Sequence, residues 1–76
     1  MSNNQVGDRI RELRELQNYT REALAEKVDI SAKFLYEIEV GKKGFSAETI
    51  CRVSKALSVS CDYIMLGEDN AHQSNA

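Results

Sequence analysis

Seventy-six residues with a formal charge of −2, 42% of them hydrophobic and 29% charged, describe one small domain near the lower limit for an unstapled core. The complete lack of proline suits a helical domain better than a disordered tail or a β-sandwich. No apolar run approaches the roughly 20 residues that span a bilayer, and Met1 to Gln5 carries no basic stretch leading into an apolar one, so a cytoplasmic protein without membrane span or signal peptide is expected.

The first helix is expected where Val6, Ile10, Leu13 and then Leu16 or Gln17 follow three-and-four spacing, with Asp8, Arg9, Arg11, Glu12 and Glu15 on its outer face. Asn18 breaks the pattern. Thr20 can cap a second short helix through its hydroxyl, and Leu24, Ala25 and Val28 form its inward stripe. Asp29-Ile30 leaves room only for a tight turn before Ser31, the next cap. A third helix then turns Phe34 or Leu35 and Ile38 inward until Gly41 closes it. Lys42 to Phe45 reads as a loop, and Ser46 caps a fourth helix with Ile50, Val53, Ala56 and Leu57 inside. After the break at Ser58-Val59-Ser60, a last helix from Cys61 to Leu66 ends at Gly67. Residues 1–67 are the expected domain, and 68–76 are an aperiodic polar tail expected to fray.

Five short helices and no competing strand pattern give an all-α, compact five-helix domain. The short turn between the second and third helices fits a helix-turn-helix, although spacing alone leaves a generic helical bundle open. Charge is informative here. Ten basic and ten acidic residues fall within 1–67, while Glu68 and Asp69 supply the surplus. A neutral domain can still carry a basic face, but its non-specific attraction to phosphate is expected to be modest.

Catalytic chemistry finds little support. The single histidine, His72, lies in the tail, and no P-loop, dinucleotide-binding glycine pattern or nucleophile elbow occurs. Cys51 and Cys61 form neither a C-x-x-C pair nor a zinc-ligand cluster, so no metal or other cofactor is expected. Their default reading is a pair of reduced thiols, with a redox switch as the second.

Ile10-Arg-Glu-Leu-Arg14, Thr20-Arg-Glu-Ala-Leu-Ala25, Ile30-Ser31 and Ile38-Glu-Val-Gly-Lys42 are followed by Thr49-Ile50, Val53-Ser-Lys-Ala-Leu57, Val59-Ser60, Asp62-Tyr-Ile64 and Gly67. In this order and spacing they resemble the Cro/C1-type helix-turn-helix family (phage repressor-like, XRE), over residues 10 to 67 and without insertions. The resemblance implies a lambda-repressor-like DNA-binding domain whose third helix, Ser31 to Val40, enters the major groove of double-stranded DNA. It places base-reading positions on Ala32, Lys33 and Glu37, with Tyr36 nearby on the exposed face. Lysine can donate to guanine N7 and O6, glutamate can accept from cytosine N4, and the alanine methyl can meet that of thymine. It assigns Arg21, Ser31, Lys42 and Lys43 to phosphate, and joins Arg14 to Glu39 as an ion pair that orients the reading helix.

Three departures accompany it. Asp29 stands where the family usually has glycine, Phe45 where proline is frequent, and Val40 where a polar or basic residue is common. Arg21 replaces a common glutamine and sits awkwardly at the positive end of its own helix, which makes more sense if it faces DNA. The implied function is a transcriptional regulator, a repressor acting as a homodimer on a palindromic operator. Tyr63, Ile64, Met65 and Leu66 are the candidate dimer contacts. The alternative is a protein-interaction module, an antitoxin or antirepressor-like partner, in which DNA binding is secondary and a regulatory protein is the main ligand.

Overall fold

Serine and threonine hydroxyls start four of the five helices. Thr20, Ser31, Ser46 and Ser60 each adopt extended backbone and accept from the amide three residues on, at Ala23, Phe34, Thr49 and Tyr63, over 2.9 to 3.1 Å. Such a cap satisfies one of the orphan amides of the first turn and contributes about 1 kcal/mol. The computed structural model, described over residues 5–67, therefore contains α1 (Gln5–Leu16), α2 (Arg21–Val28), α3 (Ala32–Glu39), α4 (Ala47–Leu57) and α5 (Cys61–Leu66). The proposed polar tail and His72 lie outside the described residues. None of the described helices is long and apolar enough to cross a membrane.

The helices end as locally as they begin. Asn18, Asp29 and Ser58 all take left-handed backbone, with φ of 64°, 63° and 60°, and Gly41 and Gly67 do so at 83° and 77°. Beyond α2, the amides of Asp29 and Ile30 return to the carbonyls of Glu26 and Ala25. Aspartate tolerates this conformation better than most residues, but its Cβ is still crowded and its carboxylate sits at the negative end of α2. Asp29→Gly is accordingly expected to stabilise the fold by about 1 kcal/mol, or 4 to 8 °C in Tm for a domain of this size. Thermal unfolding followed by circular dichroism tests this; an unchanged or lower Tm would show that Asp29 is not strained.

One core joins all five helices. Ile10, Leu24, Ala25, Val28, Leu35, Ile38, Ile50, Val53, Leu57 and Ile64 are buried, and Val6, Leu13, Tyr19, Ile30, Phe34 and Phe45 pack against them. Helix α1 packs on α3, α4 and α5, while α2 rests on α3 and α4. At the third helix the choice falls on Leu35, fully buried, with Phe34 half-buried beside it.

Helix α1 departs from the expected pattern. Leu16 is 72% exposed and Gln17 is exposed, so neither continues the inward stripe. Arg14 is turned inward instead, at 6% exposure. Arg9, expected on the outer face, lies against the end of α5: its Nε donates to the Ile64 carbonyl at 2.7 Å and Nη2 to that of Met65 at 3.0 Å. A guanidinium there satisfies carbonyls that the last helical turn leaves without amides, and favours the negative end of the helix. Gln17 plays the same part for α4, donating from Nε2 to the Leu57 carbonyl at 2.8 Å. Arg52 reaches the Val28 carbonyl at the end of α2 at 3.4 Å.

Candidate nucleic-acid interface

Helices α2 and α3 are eight residues each and are separated only by residues 29–31. Leu24, Ala25 and Val28 of α2 and Leu35 and Ile38 of α3 hold the pair against the core, which fixes the outward face of α3. Lys33 and Tyr36 are exposed on that face, Tyr36 by 42%, whereas Ala32 and Glu37 are half-buried. The four family-derived reading positions thus divide into two that project and two that lie lower on the helix. Ser31 is exposed and caps α3; its oxygen accepts from the Phe34 amide at 2.9 Å, which leaves the hydroxyl proton to be donated elsewhere. Lys42 and Lys43 are exposed just beyond α3, held by their backbone amides on the Glu37 carbonyl at 2.8 and 3.3 Å.

The strongest electrostatic feature lies beneath this face. The Glu39 side chain has no exposure and that of Arg14 has 8%. Arg14 Nε donates to Glu39 Oε2 at 2.7 Å and Nη2 to Oε1 at 3.2 Å, a bidentate fork joining α1 to the last residue of α3. Arg14 Nη1 donates to the Tyr19 carbonyl at 2.9 Å, so the loop before α2 is tied to the same group.

Arg21 completes the arrangement. Its Nε donates to Glu39 Oε1 at 3.0 Å, and its guanidinium carbon stands 5.1 Å from the centroid of the Tyr36 ring. The awkward charge at the start of α2 therefore has its counter-charge inside the protein, and no DNA is needed to explain it. The side chain remains 37% exposed, and its two Nη groups make no hydrogen bond among the described residues. One guanidinium thus links the buried carboxylate to an aromatic ring on the reading face. Sequence reasoning paired Glu39 with Arg14 alone. The signal it missed was the second arginine, because the family's glutamine at that place carries no charge to be balanced.

The candidate dimer contacts separate by burial. Ile64 is fully buried in the core, which removes it from any surface a second copy can meet. Its apolar side chain instead anchors α5 to the rest of the domain. Tyr63 is half-buried, and Met65 and Leu66 are 41% and 61% exposed.

Two short helices at a tight turn, the second presenting a capped start and an exposed face, define a helix-turn-helix DNA-binding regulator. The helix-turn-helix family matches residues 10–64, and the chain belongs to that family, with the Cro/C1-type regulator fold. The chain is 41% identical over 56 residues to the uncharacterized HTH-type transcriptional regulator YazB of Bacillus subtilis (strain 168), covering 74% of this chain and 81% of that protein. Among solved structures it is similar to the restriction-modification controller protein C.AhdI from Aeromonas hydrophila, with a TM-score of 0.77 at 25% identity over 79% of this chain and 91% of the other. The clp gene regulator ClgR from C. glutamicum has the same TM-score at 30% identity, with coverage of 96% and 91%. Membership makes the protein a sequence-specific DNA-binding regulator rather than an enzyme.

Proposed function

We propose that the protein is a cytoplasmic, nucleoid-associated transcriptional repressor that binds a palindromic operator as a homodimer. The observation that carries this reading is the exposed face of α3, where Lys33 and Tyr36 project between the capping Ser31 and the exposed Lys42 and Lys43. In it Lys33 reads a guanine, and Ala32, Tyr36 and Glu37 complete the surface toward the groove. Ser31, Lys42, Lys43 and the Nη groups of Arg21 hold phosphates and set the register of the helix. Residues 1–67 form the DNA-binding unit, with 68–76 as a polar tail. The regulator and controller titles of YazB, C.AhdI and ClgR support a role in control of gene expression.

A single reading helix covers few base pairs, so useful discrimination in a genome calls for a second half-site. Tyr63, Met65 and Leu66 supply the self-complementary contact in this reading, because Met65 and Leu66 are apolar and exposed next to one another. Selection of bound duplexes from a random pool is the direct test. Enrichment of an inverted repeat with half-sites one helical turn apart, roughly 34 Å, is expected. An enriched single half-site would remove the dimer from the proposal. No enrichment at moderate salt would overturn it in favour of a protein-interaction module, such as an antitoxin or antirepressor.

A further inference from the structure

Cys51 and Cys61 are ten positions apart in sequence, yet the fold makes them neighbours. The left-handed residue Ser58 turns the chain after α4, so that the first residue of α5 comes back alongside Cys51. Cys61 Sγ then lies 3.5 Å from Cys51 Sγ, with the Cys61 thiol as donor. That is sulfur–sulfur contact, against the roughly 2.05 Å of a disulfide bond.

Ser54 holds the geometry. It is 3% exposed, its hydroxyl donates to the Cys51 carbonyl at 2.8 Å, and the same oxygen stands 3.3 Å from Cys61 Sγ. Both sulfurs line an open groove with Phe45, Ala47, Ile50 and Met65, and Cys51 is exposed to solvent. The Cys51 thiol is raised above its ordinary range, first by the hydrogen bond with Cys61, then by its charge and by desolvation, with Lys55 opposing.

We propose that Cys51 and Cys61 are an oxidation site at which a hydroperoxide forms an intramolecular disulfide joining α4 to the start of α5. One thiolate attacks the peroxide, breaking the O–O bond; its sulfur becomes a sulfenic acid, and the other oxygen leaves as alkoxide or hydroxide and takes a proton. The second thiol attacks the sulfenic sulfur, the S–O bond breaks, and the oxygen departs as water. Two thiols lose two electrons and two protons, and the hydroperoxide is reduced to an alcohol (or water) plus water. The ring so closed spans residues 51–61 and restricts the unfolded chain. It also fixes the helix carrying Met65 and Leu66; that consequence rests on the dimer reading, whereas the disulfide itself does not.

The test uses the full chain, reduced and then exposed to a small excess of hydrogen peroxide without denaturant. The expected product is a monomer on a non-reducing gel, lighter by about 2 Da for the two hydrogens lost. Peptide mapping should join Cys51 to Cys61, and Tm should rise by on the order of 10 °C and fall back on reduction. Cys51→Ser and Cys61→Ser, each made separately, should give a trappable sulfenic acid in place of the bridge and no such rise. Oxygen added to the parent protein without a bridge, or a bridge only between two copies, would overturn the proposal. Both outcomes can be read without DNA.

Discussion

Glu39→Ala is expected to destabilise the domain by about 3 to 5 kcal/mol. The substitution removes the one carboxylate that meets both Arg14 and Arg21, at 2.7 and 3.0 Å. Arg14 is then left with a nearly fully buried guanidinium, the Tyr19 carbonyl at 2.9 Å and only the solvent-exposed Glu15 carboxylate, 3.8 Å away, as counter-charge. Breaking a buried pair from one side costs about 3 to 5 kcal/mol, because the stranded charge has lost its water as well as its partner. A 76-residue domain has on the order of 4 to 11 kcal/mol in total, so the loss consumes much of it. Urea unfolding followed by circular dichroism would read the effect as a collapse of the midpoint.

The cause is separable from simple loss of contacts. In the double variant Arg14→Met, Glu39→Leu, apolar side chains of similar volume replace the buried fork, and most of the lost stability should return. Arg21, more than a third exposed, can be solvated in that variant and carries no comparable penalty. A Glu39→Ala protein with a midpoint close to that of the parent would show that the pair is not buried as described. The double variant has a functional use too, since it loosens Arg21 from the carboxylate while keeping the fold.

Lys33→Ala should weaken operator binding about 5- to 150-fold and relax preference at one base pair of each half-site. Its side chain is exposed on α3 close to the serine cap, and a lysine can donate to a guanine edge. Lys42→Ala and Lys43→Ala provide the contrast. Each should weaken binding to all sequences alike and reduce the slope of log affinity against log salt by about one unit. Binding isotherms on the selected operator and on single-base variants, at several salt concentrations, separate the two behaviours. Unchanged preference in Lys33→Ala would move base reading away from this residue and toward Tyr36 or Glu37.

Sequence alone determined what depends on near neighbours. Thr20, Ser31 and Ser46 were legible as caps because each bonds an amide three residues away, within reach of any chain that starts a helix there. The inward residues Ile10, Leu24, Val28, Ile38, Ile50, Val53 and Leu57 follow from three-and-four spacing, which puts them on one stripe of a helix before any partner arrives. The family pattern in residues 10 to 67 carried the helix-turn-helix and the Arg14–Glu39 fork, because it embodies contacts between segments that periodicity cannot see.

Only the tertiary structure decided the contacts made at long range by flexible polar side chains. Arg9 looks like a surface residue and Gln17 like a candidate for the inward stripe, but the guanidinium and amide groups are drawn to carbonyls at the ends of α5 and α4, 55 and 40 residues away in sequence. Leu16 looks apolar enough for the core, yet it is 72% exposed in the fold. Arg21 carries a charge that the start of its own helix does not balance, and a buried carboxylate at the far end of α3 engages its Nε. The thiols of Cys51 and Cys61 showed no ligand spacing, and became a pair when the turn at Ser58 laid one helix end beside another. Helix starts and stripes are properties of a few consecutive residues, whereas the direction of a long side chain is set by whichever distant group most needs its hydrogen bonds.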